Sequence, residues 1–538
     1  MKIKHLSVLH FLKLLLTNKE PLVANNDKKT DTETLLNILQ KEIGITPDLI
    51  KSIIFLITTM IILGIQITYL SSHRVLIMHI QSITDIQINY LNFALLFGLG
   101  IGGIMCLFLS KNRTLIIKAT TLGLALASLG LIIFYSNYYC YLILRFLTGT
   151  SLGILSTIQT SVVTEKLESL PSFRGLILQS IFSTIPIGQL LPYGILLMFY
   201  NPGWKPFSQL REILILIELL PSFLALFVLF FFRDSFRNLI LDNQECEALT
   251  MLEETYFACT EKYIDDLTKM NILQEVKSNN FVLSANNPLH TNSYSINNIF
   301  TYNPFMFLNI ALLWSLGSII SLTPQILLSY NISHIEGFLS KNPIINISIA
   351  QLLILAVRVP GYLLSGLLSE SFLFKRKLTM IIGCLFMGII LIKYLMFLGF
   401  IEESIALRNP VNADKIVVRI NFFFICLSSF LVPFLLLLIV LSYEVYPTNL
   451  RDQAGGVFYF ISRLMSSCCF AFFQTIETKG IKLCISILIL ICACFIILTT
   501  SLNIESYKKP IDYCYFKPIE SKPMKLENKK KNLEMKLS

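Results

Sequence analysis

The chain contains a series of long apolar segments, and these constrain its fold more than any other feature. Each is about 20 residues long, the length that a helix needs to cross roughly 30 Å of hydrocarbon. Hydrophobic residues make up 54% of the 538 residues and charged residues only 14%. A soluble domain carries about 25% charged residues. We therefore predict an all-α integral membrane protein with twelve transmembrane helices embedded in a lipid bilayer.

The predicted spans form two sets of six, separated by the polar residues 233–302. The spans of the first set are 51–70, 89–109, 114–135, 138–163, 175–200 and 211–232. Those of the second set are 303–328, 346–368, 378–400, 417–443, 453–474 and 481–501. This division predicts five regions of the chain: an N-terminal tail (1–50), a six-helix bundle (51–232), a central loop (233–302), a second six-helix bundle (303–501) and a basic tail (502–538).

The basic residues indicate a topology rather than a nucleic-acid partner. The net charge is +10, but the cations lie in short loops and in the C-terminal tail instead of on one amphipathic face. These cations are more numerous in the loops on one side of the predicted spans than in those on the other. We therefore predict that both termini and the central loop face the cytoplasm, at the plasma membrane or an internal membrane. We expect that the protein does not bind nucleic acid and that it is a monomer.

Neither the cysteines nor any catalytic motif points to an enzyme. Most of the 12 cysteines lie in or beside apolar runs, where thiols act as small hydrophobic groups, and no CxxC pair is present. The sequence also has no Walker loop and no metal-ligand spacing. We predict no enzymatic activity, no cofactor and no metal site.

Two short charged segments interrupt the apolar runs in a similar way. Residues 164–175 read TEKLESLPSFRG, and residues 441–456 read LSYEVYPTNLRDQAGG. Each places a glutamate, a proline and an arginine between two predicted spans. The sequence therefore predicts two related turns on the same side of the membrane.

Five segments resemble the major facilitator superfamily, and more closely its sugar, organic-ion and synaptic-vesicle-protein branch. The most specific is YEVYPTNLR, which resembles the turn between helices ten and eleven of that branch. The segments that carry the resemblance are 145–154, 164–175, 233–252, 359–377 and 443–451. The resemblance implies two six-helix halves around a central cavity and the transport of a small polar solute.

The chain departs from the family pattern at two places that bear on function. The acid, arginine and glycine-arginine signature after helix two is reduced to SKNR (110–113), which contains no carboxylate. The gate of the first half is thus expected to be weaker or differently built. The first span also lacks a buried acid, which counts against the proton-linked sugar symporters of the branch.

Four of the charged residues inside predicted spans are informative, because a charge there costs about 2.5 kcal/mol or more. They are Arg145, Glu218, Arg358 and Arg463. The resemblance implies that spans four, eight and eleven contribute to the cavity. Because a guanidinium group suits carboxylate or phosphate, we predict a site for an organic anion. Its candidate contacts are Arg463, Arg145, Arg358 and Gln189.

Structural alternatives stand beside each of these assignments. Arg145 could brace its helix against backbone carbonyls or polar groups, and Arg358 could pair with backbone freed by Pro360. Glu218 could be an internal ion-pair partner rather than a proton carrier. Glutamines such as Gln189 also join helices to one another in membranes.

The resemblance also implies a mechanism of alternating access, in which two halves rock about a site at the midplane. Ion pairs of the charged turns would act as gates that lock one state. We predict two pairs, Glu165 with Arg174 and Glu444 with Arg451. Arg113 and Arg376 would be further gate cations. Partly solvated pairs of this kind are worth about 0 to 1 kcal/mol each.

Two alternatives to this gate and to transport remain. The turn charges could serve only to fix the topology of the chain. The second alternative, suggested by the reduced signature after span two, is a non-transporting receptor or scaffold that retains the transporter fold.

Overall fold

The computed structural model of the chain describes the membrane-embedded part, and every regular element there is a helix. The described residues are 46–109, 113–167, 170, 173–199, 218–221, 223–224, 227, 232–235, 239, 244–260, 264, 269–271, 304–328, 343–371, 373–406, 413–446, 448–475 and 480–502. The predicted tails, most of the central loop and most of the sixth span lie outside these ranges.

The helices follow the predicted order of spans. The first half of the chain contains α1 (Pro47–Ser72), α2 (Arg74–Gln81), α3 (Asp85–Leu109), α4 (Arg113–Ile133), α5 (Tyr138–Lys166), α6 (Arg174–Phe182) and α7 (Thr184–Phe199). One helix, α8 (Glu245–Thr260), belongs to the central loop. The second half contains α9 (Pro304–Ser321), α10 (Pro343–Ser369), α11 (Lys375–Ala406), α12 (Ala413–Val445), α13 (Thr448–Thr475) and α14 (Ile481–Ser501).

Ten stretches of the described chain are helical, long and apolar enough to cross a membrane. Helix α13 is the predicted eleventh span, and its first turns are more polar than those of the other spans. Several helices extend beyond the predicted spans. Consequently Glu165, Glu444 and Arg451 lie within helices α5, α12 and α13 rather than in the turns between them.

The fifth predicted span is broken into two helices. A kink was expected at mid-depth from Pro186 and Pro192, but the break between α6 and α7 falls at Ser183. Pro186 then lies in the first turn of α7, where its missing N–H leaves no hydrogen bond unmade. Pro192 lies inside α7.

The two halves pack against each other along two seams. In the first seam α3 packs against α13, and in the second α6 and α7 pack against α10. The first seam is close: a Cβ atom built on Gly456 would lie 2.2 Å from the carbonyl oxygen of Gly103. Only glycine permits two helix backbones to approach this closely.

The bundle has two chemically different ends. We call the end at which α1 begins the charged end, because charged residues are concentrated there. Helices α3, α5, α10 and α12 end at this side, and α4, α6, α11 and α13 begin there. The opposite end is called the far end.

Candidate functional site

At the charged end, two buried glutamates each bind two arginines, one from each half of the chain. Glu165 of α5 accepts from Nη1 of Arg113 at 3.0 Å and from Nη1 of Arg451 at 3.1 Å. Glu444 of α12 accepts from Nε of Arg174 at 2.5 Å and also pairs with Arg376. The two arrangements are equivalent, so each glutamate joins its own half to the other.

Two further carboxylates complete the ion-pair network. Asp452, in the first turns of α13, accepts from Nε of Arg113 at 2.5 Å. Glu370 follows α10 and pairs with Nη2 of Arg376 at 3.2 Å. The same carboxylate accepts from the backbone N–H of Gly175 at 2.6 Å, across the second seam.

These ion pairs are dry, in contrast to the partly solvated pairs that we expected. The side chains of the four arginines are at most 1% exposed, and those of Glu165 and Glu444 are 1% exposed. A buried pair contributes little net stability, but removal of one partner strands a charge and is strongly unfavourable. Removal of one of these charges is therefore expected to be strongly unfavourable while the two halves are in contact at this end.

The pairing also differs from the prediction. Glu165 was expected to pair with Arg174 of the same turn, but among the described residues its carboxylate contacts Arg113 and Arg451. Glu444 was expected to pair with Arg451, and it contacts Arg174 and Arg376. The glutamate of each charged turn therefore pairs with the arginine of the other turn, because equivalent ends of the two halves are in contact.

The start of the central loop also enters this network. Ser235 donates a hydrogen bond to Glu165, and Oδ1 of Asp234 lies 3.9 Å from Nη1 of Arg113. Both side chains are buried. Burial raises the pKa of Asp234 to about 6, although Arg113 opposes this shift.

Sequence reasoning missed Asp452 and Ser235 as members of the network. One signal was present for Asp452, because it directly follows Arg451 while the turn after α3 contains no acid. Ser235 had no comparable signal.

Arg145 lies inside the first half rather than between the halves. It is fully buried and donates through Nη1 to the side chain of Gln66. Gln66 in turn donates to Glu218 at 3.0 Å. The guanidinium carbon also lies 5.4 Å from the ring centre of Tyr69. These contacts fit the bracing alternative, with Gln66 as the link between Arg145 and Glu218.

Arg358 and Arg463 have a different environment, in the second half. Each lies near the middle of its helix, α10 or α13. Nε of Arg358 donates to Ser429 at 3.2 Å, while its buried Nη2 has no hydrogen-bond partner. The guanidinium carbon of Arg463 lies 4.8 Å from the ring centre of Tyr459, whose hydroxyl accepts from Nη2 at 3.3 Å.

No carboxylate of the described chain lies within ion-pair distance of either arginine. Tyr362, one turn after Arg358 on α10, interacts electrostatically with both guanidinium groups. Two cations without a carboxylate are therefore within electrostatic range of one buried tyrosine. This arrangement has unused capacity for an anion.

Gln189 of α7 is buried and lies near α1. Its backbone oxygen accepts from Thr68 at 3.3 Å, and its side-chain oxygen has no partner within the described part of the chain. Among the described residues, no group of three or more His, Cys, Asp or Glu could hold a metal ion.

The helices, their two seams and the paired arrangement at the charged end define a membrane transporter of the major facilitator fold. Solved structures of the xylose transporter XylE share this fold. One, a proton:xylose symporter bound to 6-bromo-6-deoxy-D-glucose, has 13% identity and a TM-score of 0.67, with 87% of this chain and 98% of the other covered. An inward-open structure of XylE from E. coli has 13% identity and a TM-score of 0.56, with 87% and 99% covered.

The family follows from the sequence. The model of the sugar (and other) transporter family matches residues 80–510, so the chain belongs to this family and is a solute transporter rather than an enzyme. No curated protein sequence matches the chain significantly. The predicted superfamily and fold class are confirmed.

Proposed function

We propose that this protein transports a small organic anion by alternating access, and that Arg358 and Arg463 bind the anionic group. The observation that carries the proposal is the lack of a carboxylate partner for either arginine at mid-membrane depth. Burying an uncompensated cation is costly, so such residues in a membrane mark substrate or ion pathways.

The environment of the two arginines supports recognition of an anion rather than a neutral sugar. A guanidinium group binds carboxylate or phosphate through two parallel hydrogen bonds, and both groups have N–H donors without a partner. Ser429 and Tyr459 each occupy one donor and restrict the orientation of the guanidinium plane. Arg145 also has two N–H donors without a partner, but it donates to Gln66 inside the first half and is therefore a weaker candidate, as is Gln189, which lies near α1.

The ion-pair network supports the second part of the proposal, a gate at the charged end. The charges of Glu165, Arg174, Glu444, Arg451, Arg113 and Arg376 join the two halves and are buried only while the halves touch there. In the open state, water would solvate these groups instead. We further propose that the charged end faces the cytoplasm, because the loops on that side together with the two tails hold most of the basic residues of the chain.

The experiment is a comparison of ligands that share a skeleton and differ in charge. The purified full chain is tested by thermal shift against glucose, gluconate and glucose 6-phosphate, and against adenosine and AMP. We expect anionic members to raise the melting temperature and their neutral counterparts to have no effect. Proteoliposomes loaded with the best ligand then measure exchange of the radiolabelled compound.

Two variants make the test specific. Arg463→Gln should abolish the shift caused by the anion. Lys393→Gln removes a cation that is exposed on the surface of α11 and should leave the shift unchanged. Equal stabilisation by neutral and anionic members, or an unaltered shift in Arg463→Gln, would contradict the anion site. A ligand that binds and is not exchanged would favour the receptor alternative.

A further inference from the structure

The two seams close at the charged end with their carboxylates placed differently. In the second seam the acid is Glu370, which comes from the end of α10 and reaches the backbone N–H of Gly175 at the start of α6. In the first seam the acid is Asp452, which comes from the start of α13 and reaches Arg113 at the start of α4. The acid of the first seam thus lies at the start of α13, and the acid of the second seam lies at the end of α10.

Residues 175 and 452 occupy equivalent positions in the two halves. Gly175 follows Arg174, which binds Glu444, and Asp452 follows Arg451, which binds Glu165. The same position of the two halves is therefore occupied by glycine in the first half and by aspartate in the second.

Position 175 lies against the acid of the second seam. A Cβ atom built on Gly175 would lie 2.3 Å from Oε1 of Glu370 and 3.1 Å from Oγ of Ser369. A side chain at position 175 would thus displace the carboxylate of Glu370 from its present position over the start of α6. In the first seam the sequence between α3 and α4 supplies no acid, so the equivalent position is open to a side chain.

We propose that Asp452 is a gating residue that replaces, from α13, the carboxylate missing after α3. This inference rests on the proposed gate at the charged end. Asp452 holds Arg113 through Nε, while Glu165 holds the same guanidinium through Nη1. Glu370 pairs with Arg376 of its own half, whereas Asp452 pairs with Arg113 of the other half and so joins the two halves across the first seam.

The inference predicts that the second seam can be converted to the arrangement of the first. Glu370→Ser removes the acid from the end of α10, and Gly175→Asp places one at the start of α6, close to Arg376. Each single substitution should open the charged end. The double variant Gly175→Asp/Glu370→Ser should regain closure, because the new aspartate no longer meets Glu370.

The experiment is hydrogen–deuterium exchange of the full chain in lipid nanodiscs. We expect Asp452→Asn to accelerate exchange in residues 448–456 about tenfold or more, because Arg113 loses one of its buried partners. Asp452→Glu, which keeps the charge, should show a smaller increase. Exchange within the middle of α4 and the melting temperature are the controls for folding, and neither should change.

Unchanged exchange in Asp452→Asn would overturn the inference, and so would a double variant that exchanges as fast as the faster single variant. The proposed gate is tested separately by Glu165→Gln, which removes a carboxylate shared by Arg113 and Arg451. If Glu165→Gln accelerates exchange and Asp452→Asn does not, the gate stands and Asp452 is not part of it. If neither variant has an effect, the gate itself is wrong.

Discussion

The charged end contains fully buried arginines and the middle of the second half contains one buried and one partly buried arginine, and the two places differ in how these cations are paired. At the charged end, Arg113, Arg174, Arg376 and Arg451 each have a carboxylate within ion-pair distance. Around Tyr362, Arg358 and Arg463 have a serine, a tyrosine and unpartnered N–H groups instead. Within the described part of the chain, each cation of the first set is thus paired with a carboxylate of the protein, whereas neither cation of the second set is.

This contrast separates two roles that composition alone does not distinguish. Charges that hold two moving parts together must find partners within the protein when the parts meet. Charges that bind a substrate must lack a partner until the substrate arrives, since an internal carboxylate would compete with it. Substitutions at the two places should therefore affect different equilibria.

The largest expected effect is that of Glu165→Gln. Removal of one partner from a buried ion pair costs about 3 to 5 kcal/mol, and here two arginines are left without it. We expect the charged end to open, with fast hydrogen exchange at the starts of α6 and α13. Glu254→Gln is the matched control, because its pair with Arg233 is 63% exposed on both sides and is worth about 1 kcal/mol at most. Equal effects of the two variants would remove the distinction between dry and exposed pairs.

We expect that close contact of the helices in the seams excludes water from the ion-pair network. The variant Gly456→Ala tests this expectation. The added Cβ would lie 2.2 Å from the carbonyl oxygen of Gly103 in the other half. Crowding of this kind typically costs about 1 to 3 kcal/mol, and the halves can relieve it by separating. Gly153→Ala makes an equally short contact, 2.2 Å from the carbonyl oxygen of Leu99, but within one half. We expect Gly456→Ala to open the charged end and Gly153→Ala to lower the melting temperature. The same result for both would contradict the assignment of the seams.

Much of the fold could be predicted from the sequence, because span length and apolar composition are local properties. The order of spans and most of their boundaries followed from these alone. The pairing of charges could not be predicted in the same way. Glu165 and Arg174 are near in sequence, but the partner of Glu165 in the second half, Arg451, is distant in sequence and is brought close only by the packing of the halves. The contacts of Arg145 could not be predicted either, because they depend on which face of α5 points toward α1.

The arginines around Tyr362 should respond in the opposite sense to those of the charged end. Arg358→Met removes a buried cation that has no carboxylate, so no ion pair is lost and a desolvation penalty is relieved. We expect the melting temperature to rise, by an amount equivalent to about 1 kcal/mol, while binding of the anion weakens. Arg376→Met, at the charged end, is the matched substitution and should favour opening of that end. A lower melting temperature for Arg358→Met would indicate that Arg358 is structural.

The smallest expected effect is a dependence of the gate on pH, through Asp234. Burial in the closed state raises its pKa to about 6, whereas an exposed aspartate titrates near 3.9. The closed state therefore binds the proton more tightly. Its advantage is fully present below pH 3.9 and is lost as the pH rises through about 6. Between pH 7 and pH 5, closure should gain about tenfold, which corresponds to about 1.4 kcal/mol.

The groups that face Asp234 are Arg113, Glu165, Lys166 and the backbone of Ser235. Their sum sets the pKa, so Asp234→Asn should abolish the dependence of exchange at residues 448–456 on pH in this range. The measurement must follow the gate rather than overall stability. His73, at the far end, titrates in the opposite sense: burial lowers its pKa to about 4, so folding loses stability as the pH falls below 6.5. If the gate tightens in acid while the melting temperature falls, the effects of Asp234 and His73 are distinguished. If the gate loosens in acid, Asp234 is charged when the gate is closed and the prediction is wrong.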